Sequence, residues 1–162
     1  MDIRPLTPSE LEAVAPIWAS LLEHHGRVEP DLVTRPAAES WPMRREQYER
    51  WLAEPGSFAL VAEEDGGAVG YAVVHVQGPD ETWVTGERTA ELETLAVLPA
   101  SRGAGVGTAL MDAVDDELGA REIDDLWVAV VARNTHALRF YERRGMRTYL
   151  HRMHRGRLRR DG

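Results

Sequence analysis

The sequence predicts one mixed α/β domain. Near the middle of the chain, two apolar runs flank Asp65-Gly66-Gly67, which is the pattern of a hairpin. From Glu91 onward the order is strand, helix, strand, helix, strand, which builds a mixed sheet with helices laid on it. The length of 162 residues fits a single hydrophobic core. No internal repeat or interdomain linker interrupts it, so residues 1–162 are read as one domain.

The elements follow in order. Asp2 to Pro5 reads as a short first strand. Thr7-Pro8-Ser9-Glu10 has the form of a capping box with proline at the first helical position. Leu11, Val14, Trp18, Leu21 and Leu22 then form one apolar helical face. His24 to Trp41 reads as irregular, and a second helix is expected from about Met43 to Leu52, ending near Pro55-Gly56. Phe58 to Glu63 and Ala68 to Val76 are the hairpin strands, and Gln77 to Thr89 is a polar, turn-rich loop. Glu91 to Val97 is the next strand. Gly105 to Leu118 is an amphipathic helix with Val106, Leu110, Val114 and Leu118 on one face and Gly119 past its end. Leu126 to Val131 reads as a buried strand, Asn134 to Arg144 as a helix stopped by Gly145, and Met146 to His154 as a final strand. From about residue 155 the chain ends in an arginine-rich tail that is expected to fray.

The stretch between the fourth strand and its helix carries the first chemical signal. Arg102 is followed by Gly103, Ala104, Gly105, Val106, Gly107 and Thr108. Glycines there let backbone N–H groups converge on an anion, and the opening helix adds the positive end of its dipole. A phosphorylated ligand is therefore expected, although a glycine-rich turn without a ligand has the same pattern. A Walker A loop is excluded: Gly107 precedes Thr108, and the chain contains no lysine. The dinucleotide fingerprint G-x-G-x-x-G is not met either, because the spacing is G-x-G-x-G.

The R-x-x-G-x-G pattern from Arg102 resembles the coenzyme A pyrophosphate loop of the GCN5-related N-acetyltransferases (GNAT family). A second segment resembles the other half of that family's cofactor site. It is a strand followed by N-x-x-A-x-x-F-Y-x-x-x-G-[F/M], carried here by Asn134, Ala137, Phe140, Tyr141, Gly145 and Met146. The resemblance implies the acetyltransferase fold: a single mixed, mostly antiparallel sheet flanked by helices, with a central splayed pair of strands. It implies acetyl-CoA as cosubstrate and no metal. Pantetheine would enter the splay and bond to backbone at Leu95, Ala96 and Val97, and the loop from Arg102 to Thr108 would hold the pyrophosphate. Asn134 matches a cofactor-contacting asparagine, and it is also a good helix N-cap. Tyr141 matches the family's general acid and a cofactor contact, with a packed core tyrosine as the alternative. Phe140 reads as core.

Amide formation sets what else is needed. An alkylammonium, with a pKa near ~10.4, must lose a proton before it can attack a thioester. Glu91 matches the position of the family's glutamate base. Glu93 lies two residues on and so points to the same strand face. Two carboxylates on one face raise the pKa of one of them, which suits a base. Either residue could instead bind the substrate ammonium.

Composition narrows the remaining choices. Absence of cysteine excludes disulfides, a thiolate metal site and a cysteine nucleophile, and fits a cytoplasmic location. No signal peptide or membrane-length apolar run is seen, so no membrane partner is expected. The net charge is −8, yet the segment after Ala132 holds ten arginines against Glu142 and Asp161. An acidic body disfavours nonspecific nucleic-acid binding and attracts a cationic acceptor. His24-His25 lacks a third ligand at metal-site spacing, and His75, His136, His151 and His154 form no constellation in sequence. The expected activity is acetyl transfer to a primary amine of a small molecule, such as a polyamine, amino acid or aminoglycoside, in a ternary complex. A protein N-terminus or lysine as acceptor, and a non-catalytic CoA-binding module, are the alternatives. A homodimer is left open.

Overall fold

The computed structural model describes residues 1–156. Five strands lie side by side in sequence order: β1 (Asp2–Pro5), β2 (Phe58–Glu64), β3 (Gly67–Gln77), β4 (Thr89–Val97) and β5 (Asp125–Val128). The pairs from β1 to β4 are antiparallel, and β4 pairs with β5 in parallel. Asp65 and Gly66 both take positive φ, 50° and 79°, as the tight β2–β3 turn requires. A parallel pair needs a crossover, which the helix α3 (Val106–Ala120) supplies.

The parallel ladder is short. It runs from Thr89 opposite Asp125 to Leu92 opposite Val128, and β4 then continues alone on that edge to Val97. The cause is a β-bulge. Val73 pairs with Thr94 and Val74 pairs with Leu92, so Glu93 is an extra residue in β4. A bulge bends its strand, and the β4–β5 ladder stops at the residue before it. The sheet is therefore splayed between β4 and β5, and β5 ends at Val128, short of the Val131 expected from sequence.

Period-2 alternation sends successive side chains to opposite faces. Leu60, Ala62, Ala72, Val74 and Leu92 pack under Leu110, Met111, Val114 and Leu118 of α3. Val61, Tyr71, Val73 and Ala96 pack under the helices α1 (Ala15–Val28) and α2 (Ala37–Leu52), with Ile17, Trp18, Trp41 and Tyr48. At Gly70 the sheet and α3 approach closely. A Cβ there would sit 3.0 Å from Leu110 Cδ1, and 3.1 Å from both the Ala96 carbonyl oxygen and Val106 Cγ1. Gly70→Val is expected to lower stability by about 2 kcal/mol through overpacking, read as a lower denaturant midpoint. An unchanged midpoint would mean that α3 can move outward freely.

Three further elements differ from the sequence expectation. The first helical segment splits into a 3-10 turn (Pro8–Val14) and α1, because Pro16 cannot donate a backbone hydrogen bond and the helix restarts around it. Its capping carboxylate is in place, with Glu10 accepting the Thr7 N–H at 3.0 Å. α1 also runs through His24 and His25 to Val28, so that part of the expected irregular stretch is helical. α2 begins at Ala37 and contains Pro42. Burial of Trp41 and Tyr48 on one face outweighs the lost hydrogen bond at the proline.

The third difference is at the end of the chain. Residues 146–154 form no strand, contrary to expectation. Tyr149 rests on Trp127 with ring centroids 4.6 Å apart, while Leu150 and Met153 are exposed. A four-residue β5 offers few ladder partners, and Arg147, His151, Arg152 and His154 stay solvated. The arginine-rich tail lies, from residue 157 on, outside the described residues. No described helix is long and apolar enough to cross a membrane.

Candidate active site

The glycine loop ends in a bare helix N-terminus. Gly103 and Gly105 take φ of 78° and 86°, conformations that side-chain-bearing residues resist. Gly105 is the N-cap of α3, and no side chain caps the helix. The first intrahelical bond runs from the Ala109 N–H to the Gly105 carbonyl at 2.9 Å. The N–H groups of Val106, Gly107 and Thr108 thus point out of the helix end without intrahelical acceptors. Val106 itself is buried core, so it offers only its backbone, whereas Gly103, Ala104, Gly105 and Thr108 are exposed. Arg102 is exposed and donates from Nε to the Val97 carbonyl at 3.1 Å, which ties the loop to the end of β4. Uncapped N–H groups, the helix dipole and a guanidinium are the groups that a pyrophosphate requires.

From that loop the free edge of β4 leads back toward the bulge. Leu95 and Val97 pack on the α3 side, and Ala96 is buried on the α1–α2 side. Across the splay stands the helix α4 (Thr135–Arg143). Asn134 caps it, accepting the Ala137 N–H at 3.1 Å. His24 of α1 also faces Asn134 and Arg102; burial first, and then the Arg102 charge, hold it below the usual histidine range. Tyr141 lies one helical face along from Phe140, with their rings edge-on at 5.2 Å. Burial pushes the Tyr141 phenol up to about 12. Among the described residues its hydroxyl has no hydrogen-bond partner. Tyr141 and Glu91 both line one cleft of about 1850 Å³, which also takes in Val128 to Ala132.

The bulge places both carboxylates on the α1–α2 face of the sheet. Glu91 precedes Leu92, which points the other way into the α3 core, and Glu93 is the inserted residue. Glu93 stands above the usual carboxylate range, chiefly because burial penalises its charge, and then because Glu91 repels it; His75 and Arg44 act against the shift. The Glu93 Oε1 lies 3.6 Å from His75 Nδ1, and His75 Nε2 lies 2.8 Å from Glu54 Oε2. The His75 ring stacks on Trp51 with centroids 5.3 Å apart. Next to the bulge, the buried Tyr48 hydroxyl meets Thr94 Oγ1 at 2.6 Å and the Tyr71 hydroxyl at 3.1 Å, which pins α2 to β4.

The structure thus brings together two groups of the sequence candidates. Arg102 to Thr108, Leu95 to Val97 and Asn134 border the splay; Glu91 and Tyr141 share the cleft, with Glu93 at the bulge. His24 faces the loop, while burial first, and then the charges of His24 and Arg44, hold His25 below the usual histidine range. No group of three His, Cys, Asp or Glu among the described residues could hold a metal ion. Sequence reasoning missed His75. Its place on the face of Tyr71 and Val73 was readable from alternation, but its contact with Glu93 depends on the β3–β4 register and the bulge.

Comparison with known proteins gives the same frame. The profile of the acetyltransferase (GNAT) family matches residues 18–146. An uncharacterized N-acetyltransferase of Mycobacterium tuberculosis is 33% identical over 104 residues, which is 62% of this chain and 60% of that protein. The matched part thus spans under two thirds of that relative's length. A tetramutant of the BH1408 protein of Bacillus halodurans superposes with a TM-score of 0.80 at 24% identity, covering 96% of this chain and 99% of that one. An aminoglycoside N-acetyltransferase solved in complex with CoA superposes with a TM-score of 0.70 at 19% identity, covering 96% and 99%. At these identities the two superpositions speak for the fold, and the profile, spanning most of the sequence, speaks for descent. The chain belongs to the GNAT family of acetyltransferases.

Proposed function

We propose that the chain is an acetyl-CoA-dependent N-acetyltransferase acting on a primary amine of a small molecule by direct attack in a ternary complex. One observation carries the reading: the free edge of β4 runs unbroken from the uncapped glycine loop to Glu93, with Tyr141 across the cleft. The loop and Arg102 hold the pyrophosphate, and the edge backbone of Leu95 to Val97 bonds the pantetheine amides. The thioester then lies between a base and an acid.

Glu93 accepts the proton of the acceptor ammonium, directly or through water, and its raised pKa fits that role better than an ordinary surface carboxylate would. The neutral amine attacks the thioester carbonyl and the C–N bond forms; the nitrogen then gives up a second proton to solvent as the C–S bond breaks. The Tyr141 hydroxyl protonates the departing sulfur, and a proton from solvent restores the phenol. His75 and Glu54 hold Glu93 in place and give its proton a path to the surface, since Glu54 is about half exposed. Glu91 supplies negative charge that attracts the ammonium. The aminoglycoside acetyltransferase fold neighbour supports a small amine as acceptor. A cytoplasmic setting belongs to the same reading.

The cofactor half is tested by thermal denaturation. CoA and acetyl-CoA are expected to raise Tm by mass action, and ATP and NAD to do much less. A larger shift with ATP or NAD would overturn the assignment.

The base is tested by pH. Glu93 must be ionised to act, so kcat/KM should rise with pH along a limb lying above the ordinary carboxylate range. Glu93→Gln should remove that limb and lower kcat/KM near neutrality. The same shift has a stability signature. A carboxyl whose folded pKa exceeds its unfolded pKa binds its proton more tightly when folded, so its contribution favours the native state at low pH and is lost as pH rises through the folded value. Glu93→Gln should therefore raise Tm at neutral pH, and the gain should shrink on acidification. A rate and Tm that do not respond would overturn Glu93 as the base.

A further inference from the structure

Beside the bulge lies a second recess, of about 440 Å³, lined by Arg35, Ser40, Met43, Arg44, Gln47 and Trp51. It holds two guanidinium groups and no carboxylate. Its size suits a small metabolite. Arg44 is the unusual member. Its neighbours on α2 are paired: Arg45 with Glu12 and Glu49, and Arg50 with Glu46. Among the described residues Arg44 makes no ion pair and no side-chain hydrogen bond, in a chain with 27 acidic residues against 19 basic ones. It is turned inward and half-buried, with its guanidinium carbon 4.6 Å from the centroid of a Trp18 ring, 5.7 Å from Tyr48 and 5.9 Å from Trp51.

Three aromatic faces hold that cation in one orientation without neutralising it. A planar guanidinium kept fixed and unpaired is suited to a carboxylate, which it can take through two parallel bonds. The recess adjoins the chemistry. Trp51, in its wall, stacks on His75, and His75 touches Glu93. A ligand with its carboxylate on Arg44 can thus present an ammonium to Glu93.

Resting on the acetyltransferase reading above, we infer that the acceptor is a primary amine that also carries a carboxylate, of the amino-acid class, with Arg44 as the residue that selects it. Met43 and Trp51, in the wall of the recess, shape the space beside the carboxylate. Polycationic amines such as polyamines and aminoglycosides meet Arg44 and Arg35 as like charges and are disfavoured.

The test uses matched pairs: each proteinogenic amino acid against the amine left when its carboxylate is removed, and the N-acetylated form of each. Initial rates give kcat/KM for the free amines. Tryptophan fluorescence of the CoA-saturated protein gives Kd for the acetylated forms, a reading that needs no turnover. For at least one pair the carboxylate member should win by about tenfold or more, the scale of a charge-assisted hydrogen bond. Arg44→Met keeps the stem and should bring that ratio toward one, mainly through KM and Kd. Arg44→Lys should restore part of it. An unaltered CoA-induced Tm shift certifies that each variant is folded.

Equal binding and rates within every pair would overturn the inference, as would a preference that survives Arg44→Met. Turnover of the plain amines alone overturns it while leaving the acetyltransferase reading standing. Carboxylate-selective binding without acetyl transfer to any amine supports the role of Arg44 and overturns the reading of the reaction.

Discussion

Gly105→Asp is expected to abolish detectable binding of CoA. Gly105 caps α3 at a φ of 86°, where a side chain costs roughly 1 kcal/mol. The larger effect is charge. A carboxylate set beside the pyrophosphate meets a like charge at close range, and two charges ~4 Å apart near a protein surface repel by about 4 kcal/mol. That exceeds the ~2.8 kcal/mol of a hundredfold change in Kd. No Cβ contact within 4 Å opposes the substitution, so the fold should tolerate it. Calorimetric titration with CoA measures the effect, and Gly105→Ala, carrying the strain without the charge, should lose far less. Equal, small losses in both variants would place the pyrophosphate elsewhere.

The second large effect is on the chemical step. Tyr141→Phe is expected to lower kcat by roughly 10²-fold while leaving the Kd for CoA close to that of the parent, because general-acid help acts only as the sulfur departs. The Tyr141 hydroxyl has no protein partner among the described residues, so its loss breaks no internal hydrogen bond. Stability should change little. The phenol, pushed up to about 12 by burial, stays protonated across the working range, so the parent rate should show no loss from Tyr141 ionisation below that pH. Single-turnover kinetics with saturating acetyl-CoA isolate the step. An unchanged kcat where chemistry limits would return Tyr141 to packing.

What the sequence made legible was local. The glycine loop announces itself because positive φ at Gly103 and Gly105 demands residues without a Cβ, and Gly145 marks a helix end in the same way. Gly119, expected past the end of α3, instead lies within its last turn, which runs on to Ala120. Asn134 lies three residues before Ala137 and Tyr141 four residues after it, spacings that one helix turn fixes. The hairpin follows from Asp65-Gly66, whose turn admits few other residues.

What it hid was decided by contacts far apart in the chain. Pro42 looks like a helix boundary, and only the burial of Trp41 and Tyr48 against Tyr71 carries the helix through it. The length of β5 depends on a bulge in β4, which depends in turn on how β3 pairs with Thr94 and Leu92. The same bulge puts Glu93 against His75, which brings a histidine without motif into the proposed site. The expected last strand had suitable residues but lacked a partner strand long enough to pair with. Nothing in the local sequence around Arg44 announces Trp18, which lies 26 residues earlier in the chain.

The central claim is that this splayed sheet joins an acetyl group to an amine. The most direct measurement is release of free CoA thiol from acetyl-CoA in the presence of a panel of primary amines, with mass detection of the N-acetyl product. The protein contains no cysteine, so it adds no thiol of its own to the signal. The account predicts amine-dependent thiol release matched one to one by N-acetyl product, and a rate that falls in Glu93→Gln and Tyr141→Phe. Thiol release no faster with any amine than without, from a protein that binds CoA, would contradict it.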